Sequence, residues 1–154
     1  MSYFYLDASV LVKRHSPEIG SSWVKALMAP TSHTIYLSEI TLAEVAAALA
    51  AKYRAPSGIT QTERDDAVAL FLKCCHTEYD LIPVSRFIID QAVNLTQKYK
   101  LRGYDAVQLA TALTVNEVLT TSGLPPLTFV TADNDLLMAA QAQGLTIDNP
   151  NLHL

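Results

Sequence analysis

The chain has 154 residues, half of them hydrophobic, with a formal net charge of −4. That length suits one domain over residues 1–154 with a sizeable core. The acidic balance excludes a protein that merely coats nucleic acid with positive charge, but not an enzyme with a local basic rim. The longest apolar run near Glu44, Val45 to Ala51, is far short of the roughly 20 residues a membrane-spanning helix needs, so no span is expected.

Tyr3 to Leu6 is a short aromatic, β-favouring run that stops at Asp7 and reads as a buried strand. Val10-Leu11-Val12 fits a turn or short helix. Ser16-Pro17-Glu18 has the grammar of a helix start, with Ile19, Trp23, Ala26 and Leu27 following at helical spacing and Pro30 beyond the end. Thr34 to Leu37 is a second strand. From Thr41 a helix carries Leu42, Val45, Ala46, Leu49 and Tyr53 on one face until Ala55-Pro56-Ser57-Gly58 breaks it. Thr60 or Thr62 caps the next helix, which runs to about Glu78.

Leu81 to Val84 is a third strand. Ser85 caps a helix with Ile88, Ile89, Ala92, Val93 and Tyr99, and Gly103 closes that stretch. Asp105 to about Val118 is an alanine-rich helix, apolar on several sides. Ser122 to Pro126 is a loop, Leu127 to Thr131 a fourth strand, Asn134 to Gln143 a helix and Leu145 to Ile147 a last short strand. Strands alternating with helices across short connections predict an α/β fold, with three layers (α/β/α) and a central parallel sheet of about five strands.

Asp7, Glu44, Asp105 and Asp133 each follow or open an apolar segment where a strand yields to a helix, or lie near a helix start. Taken singly, each has an ordinary reading as a helix cap, and Thr41-Leu42-Ala43-Glu44 matches a capping box. Taken together they carry more. Right-handed crossovers place every strand's carboxyl end on one edge of a parallel sheet, which is where ligands bind in open α/β folds. Carboxylates gathered there repel and raise one another's pKa, and the usual remedy is a hard divalent cation bound through oxygen. Such a metal points to phosphodiester chemistry. Asp135 is a further candidate ligand, or a solvated first-turn acid. Ser9 and Thr131 are hydroxyls placed to orient Asp7 and Asp133, or to cap.

Four stretches carry a resemblance: Tyr5-Leu6-Asp7-Ala8-Ser9, Ser38 to Val45, Arg102 to Ala110, and Phe129-Val130-Thr131-Ala132-Asp133. Their order and separation resemble the PIN domain, a family of metal-dependent nucleases, and within it the VapC-type toxins of bacterial toxin–antitoxin pairs. The family's acidic positions carry over onto Asp7, Glu44, Asp105 and Asp133; Asp135 falls where only some branches are acidic. The resemblance implies a PIN-like fold and an endoribonuclease dependent on Mg²⁺ or Mn²⁺. Asp7 and Asp105 would hold the metal, and Asp133 and Glu44 would bind it directly or through water. It also implies 3′-hydroxyl and 5′-phosphate products, an antitoxin partner and a homodimer.

Phosphate contacts need nearby cations. Lys13, Arg14, Lys98, Lys100 and Arg102 are the candidates, although Lys98 and Lys100 also suit a helix C-terminus. Tyr104 is either a base-stacking residue or packing.

Other α/β functions lack their signatures. A receiver domain needs an acid after the third strand and a late lysine, but that strand ends Val84-Ser85. A haloacid-dehalogenase-type phosphatase needs a second acid after Asp7, where Ala8-Ser9 stands. A dinucleotide site needs a glycine-rich turn there too. The adjacent Cys74 and Cys75 read as buried helix residues, and His15, His33, His76 and His153 show no ligand spacing. Lys13 and Arg14 follow the first apolar run rather than precede it, unlike a signal peptide, so the cytoplasm is the expected location. The rival reading is a catalytically silent PIN-like module that acts through protein or RNA contacts.

Overall fold

A computed structural model describes residues 1–154. Five strands, β1 (Ser2–Leu6), β2 (His33–Ser38), β3 (Tyr79–Ile82), β4 (Thr128–Val130) and β5 (Thr146–Asp148), form one sheet in the order β3-β2-β1-β4-β5. Every pairing is parallel. Seven helices cover it: α1 (Ala8–His15), α2 (Ser21–Met28), α3 (Ile40–Arg54), α4 (Gln61–Thr77), α5 (Arg86–Lys98), α6 (Gly103–Thr121) and α7 (Asn134–Ala142). A short 3₁₀ turn, Pro150–Leu152, closes the described chain. No helix is long and apolar enough to cross a membrane.

The strand alternation decides the layers. On β1, Tyr3 and Tyr5 enter one core with Ile88, Leu109 and Phe129, contributed largely by α5, α6, β4 and α7. Leu6 faces the other, built on Leu11, Val24, Leu49 and Phe71 from α1 to α4. The period of two in a strand makes this split automatic. Helix α6 is apolar nearly all round because it is buried between α5 and the sheet, with nine buried residues from Ala106 to Leu119.

Several boundaries differ from the sequence expectation, for local reasons. Val10 to Val12 belong to a full helix, capped by the Asp7 carboxylate on the Val10 N–H. The Ser16-Pro17-Glu18 start is not used. Helix α2 begins at Ser21, whose hydroxyl accepts from the Glu18 N–H, after Gly20 turns the chain at φ +85°. A side chain at Gly20 would collide with the Pro150 carbonyl, so both the turn and the close approach require glycine. Thr60, not Thr62, caps α4, in a reciprocal capping box with Glu63. Gly103 opens α6 rather than closing α5, which ends at Lys98. Strand β3 starts at Tyr79, two residues before the expected Leu81.

Candidate active site

The strand order reverses direction between β1 and β4, the two strands that leave the centre of the sheet for opposite edges. A crevice forms at the carboxyl ends of such a pair because the connecting helices depart to opposite faces. Asp7 directly follows β1, and Asp133 lies three residues past the end of β4. Glu44 reaches the same end from α3, which follows β2. Asp105 reaches it from the first turn of α6.

Asp7 is buried at 6% exposure, and three donors hold it. Ser9 donates to Oδ1 at 2.5 Å, Thr131 donates to Oδ2 at 2.6 Å, and the Val10 N–H reaches Oδ1 at 3.4 Å. The hydroxyls are fixed in turn, since Ser9 accepts from the Ala132 N–H and Thr131 from the Asp133 N–H. The loop after β4 is therefore stitched to the carboxylate after β1. Asp133 is exposed and its carboxylate caps α7 through the Leu136 N–H at 3.1 Å, while its own N–H braces the Thr131 hydroxyl that holds Asp7.

Glu44 is half-buried, and its neighbours differ from the expected capping box. Position 39 caps α3 without a side-chain bond, and Thr41 lies inside the helix. The Thr41 hydroxyl instead accepts from the Gln108 amide at 2.9 Å, and the same amide donates to Glu44 Oε1 at 2.5 Å. Gln108 is itself 1% exposed, and its carbonyl accepts from the Tyr5 hydroxyl. Tyr5 is held flat against Phe129, ring to ring at 5.5 Å. The sequence assigned no role to Tyr5 or Gln108 and only a cap to Thr41. The available signal was one glutamine inside Ala106-Val107-Gln108-Leu109-Ala110, where a polar side chain must find a partner or pay for its burial.

The acids sense one another. Burial pushes the Asp7 carboxyl up to about 6, against the pull of Ser9 and Thr131 and with added repulsion from Asp105. Burial also raises Glu44, opposed by the Gln108 hydrogen bond and reinforced by Asp7 and Asp105. Asp105 is raised by burial and by the charge on Asp133, with Arg102 pulling the other way. Carboxylates that raise one another's pKa are in mutual repulsion, which a bound cation would relieve. As the side chains stand, no three acidic, histidine or cysteine groups close into a ready metal cage. The donor set is all carboxylate and hydroxyl oxygen, which suits a hard divalent ion.

A cleft of about 470 Å³ opens beside the acids, lined by Thr96, Tyr99, Lys100, Leu101, Arg102, Asp105, Asp133 and Asp135. Lys100 lies 3.8 Å from Asp135, both well exposed. Arg102 donates to the Tyr104 hydroxyl at 2.8 Å, so Tyr104 braces a cation at the cleft. Lys98 ends α5 with its ammonium over the Tyr99 ring.

Lys13 and Arg14 are placed elsewhere. Helix α1 carries them back to the amino edge of the sheet. There Arg14 pairs with Glu78 and bonds the Tyr79 hydroxyl, while Lys13 is buried and lies 3.4 Å from Glu18. Their position corrects the expectation of phosphate contacts. Most of the eight-residue α1 separates them from Asp7, and both charges are already paired.

Comparison with known proteins agrees with this fold. The family model for the PIN domain matches residues 4–142. No curated protein sequence matches the chain significantly. Among solved structures, FitAcB from Neisseria gonorrhoeae superposes with a TM-score of 0.59 at 18% identity, covering 98% of this chain and 99% of that one. VapC20 from Mycobacterium tuberculosis, described as a sarcin-ricin loop cleaving toxin, gives 0.62 at 18% identity, with 93% and 96% covered. VapBC2 from Rickettsia felis, solved on a DNA fragment from its promoter, gives 0.62 at 15% identity, with 96% and 98% covered. Likenesses at that identity speak for a shared fold.

Proposed function

The chain belongs to the PIN-domain family, and from that premise we propose that it is a divalent-metal-dependent endoribonuclease, the toxin of a VapBC-like toxin–antitoxin pair. The observation that carries the reading is the gathering of Asp7, Glu44, Asp105 and Asp133 at one sheet edge, with three of them held above the ordinary carboxylate range. Asp7 and Asp105 would hold Mg²⁺ or Mn²⁺, with Glu44 and Asp133 completing the set directly or through water and Asp135 at its rim. A divalent metal held there would supply a more acidic water and charge compensation for the phosphate and the leaving oxygen.

The chain's own residues do the rest. Ser9 and Thr131 keep both Asp7 oxygens oriented. Lys100 and Arg102 stand on the cleft wall, where a phosphate backbone running past the acids meets positive charge. The partners of this reading are an RNA substrate, a cognate antitoxin and a second copy of the chain in a homodimer; its setting is the cytoplasm, and residues 1–154 act as a single domain.

The rival reading is a catalytically silent module that binds protein or RNA. One observation favours it, the absence of a closed metal cage. Against it stand an all-oxygen donor set and carboxylates that raise one another's pKa. Incubation of the purified protein with assorted RNAs, in Mn²⁺ or Mg²⁺ and then in EDTA, separates the two. Cleavage that stops in EDTA and in Asp7→Asn and Asp105→Asn variants supports the nuclease. Cleavage surviving both treatments removes the metal mechanism, and no cleavage with no metal binding by calorimetry supports the silent module. For the toxin role, growth arrest on expression, relieved by the product of a small neighbouring reading frame, is expected.

A further inference from the structure

Three polar side chains lie in the interior close to the acidic edge, each from a different element: Tyr5 on β1, Thr41 on α3 and Gln108 on α6. Tyr5 and Thr41 have no exposure and Gln108 only 1%. Burial of this kind is costly unless hydrogen bonds are satisfied, and a closed apolar core would do as well for stability alone. The hydrogen bonds here form a directed chain. Tyr5 donates to the Gln108 carbonyl, and the Gln108 amide donates both to Thr41 and to Glu44 Oε1. The chain ends on Glu44, which lies inside α3 and neither follows a strand nor caps a helix.

The direction of the amide follows from chemistry. A carboxylate accepts only, so the face of Gln108 toward Glu44 must be its NH₂. The carbonyl then faces Tyr5, whose hydroxyl donates to it. A flipped amide would set a carbonyl oxygen against the carboxylate. Tyr5 cannot shift to accommodate such a flip, because its ring is stacked on Phe129 within the core. Asp7 is oriented by hydroxyls in the first turn of α1 and on the loop after β4. Glu44 has no such local partner, and its orientation is supplied across the core.

We propose that Gln108 is a positioning residue for Glu44, with its amide locked by Tyr5 and Thr41 so that the carboxylate meets the other acids in one orientation. The proposal rests on the reading that Glu44 acts with Asp7, Asp105 and Asp133 on a bound metal ion. Residues that orient metal-binding side chains typically contribute about ten- to a hundredfold in metal affinity or activity.

The test is a double-mutant cycle on the full chain, read by Mn²⁺ calorimetry, by RNA cleavage and by urea unfolding. Gln108→Leu is expected to weaken Mn²⁺ about tenfold, and to weaken it no further in a Glu44→Gln background. Tyr5→Phe keeps the ring stack and removes only the donor. It is expected to weaken Mn²⁺ about threefold, again only while Glu44 is present, and it decides the question if Gln108→Leu does not fold. Weakening that is equal in both backgrounds, or unfolding destabilised with Mn²⁺ affinity unchanged, overturns the positioning role and leaves the nuclease reading standing. A native chain that binds Mn²⁺ but cleaves no RNA overturns the nuclease reading, and the affinity cycle still decides Gln108. A native chain that binds no Mn²⁺ overturns both.

Discussion

The two edges of the sheet carry clefts of similar size and opposite electrostatic character. At the amino edge a cavity of about 440 Å³ includes Arg14, Glu78, Tyr79 and His33 in its lining. There the charge is matched: Arg14 bonds Glu78 at 2.6 Å and also the Tyr79 hydroxyl, and Glu78 is held below its usual range by that guanidinium. At the carboxyl edge the cleft of about 470 Å³ is lined by Asp105, Asp133 and Asp135 with two exposed cations, and buried Asp7 and half-buried Glu44 lie behind. A protein gains nothing in stability from acids that raise one another's pKa. Matched charge at one edge reads as structure, and unmatched charge at the other supports the proposed metal site.

The contrast can be broken most forcefully by exchanging the roles of the two edges. Asp7→Asn is expected to cut RNA cleavage by at least about a hundredfold, the scale of losing one preorganised electrostatic contact at a reaction centre. Arg14→Met should leave the rate per folded molecule unchanged. Comparable rate losses from both, measured at equal folded fraction, would erase the distinction.

A second expectation concerns pH. The folded Asp7 carboxyl sits near 6, above its ordinary 3.8, so between those values the folded state binds more protons than the unfolded chain. Its contribution to stability is therefore present at low pH and lost as pH rises from about 4 to about 6, by up to about 3 kcal/mol. Glu44 and Asp105 act in the same direction. Urea unfolding of native protein and Asp7→Asn in metal-free buffer checks this: the native curve should lose stability over that range relative to the variant. Saturating Mn²⁺ should restore more stability at pH 7 than at pH 5, because a cation binds the ionised acids. Parallel curves for the two proteins would show that Asp7 carries no such strain.

At the amino edge, Arg14→Met is expected to lower the unfolding free energy by about 1 kcal/mol, a modest loss because both partners of the ion pair are partly exposed. An undiminished denaturation midpoint would mean that the matched pair contributes nothing. The smallest effect is expected at the cleft wall. Lys100→Ala removes an exposed cation 3.8 Å from Asp135 and should leave stability unchanged. RNA affinity should weaken at low salt, with the slope of log affinity against log salt falling by about 0.7 for one lost phosphate contact to a single strand. An unchanged slope would place Lys100 outside the RNA path.

Much of this architecture was legible residue by residue. Tyr3 to Leu6 and the helix from Thr41 announce themselves by spacing, because periods of two and 3.6 are consequences of backbone geometry. The acids were legible for a related reason. Asp7 and Asp133 occupy cap positions whose sequence grammar is local, and the chain order of a parallel α/β fold sends such positions to one edge. Helix starts such as Ser16-Pro17-Glu18 misled because two nearby solutions compete, and the packing of Gly20 against Pro150 chose the later one.

Alternation, sheet class and the cap positions of Asp7 and Asp133 follow from the order of residues, since each depends on neighbours within a few positions. Which cations stand near the acids, and what holds Glu44, depends on contacts between residues far apart in the chain. Gln108 meets Glu44 across 64 positions and Tyr5 across 103. Arg14 is drawn 65 positions away to Tyr79, although it lies only seven positions from Asp7 in sequence. Capping boxes and charge runs are patterns of short range, and the packing of α6 against the sheet overrode one at Thr41 and α1 carried the other to the opposite edge. Local geometry set out the candidates, and tertiary contacts selected among them because burial leaves a polar side chain no choice but the partner that the fold brings to it.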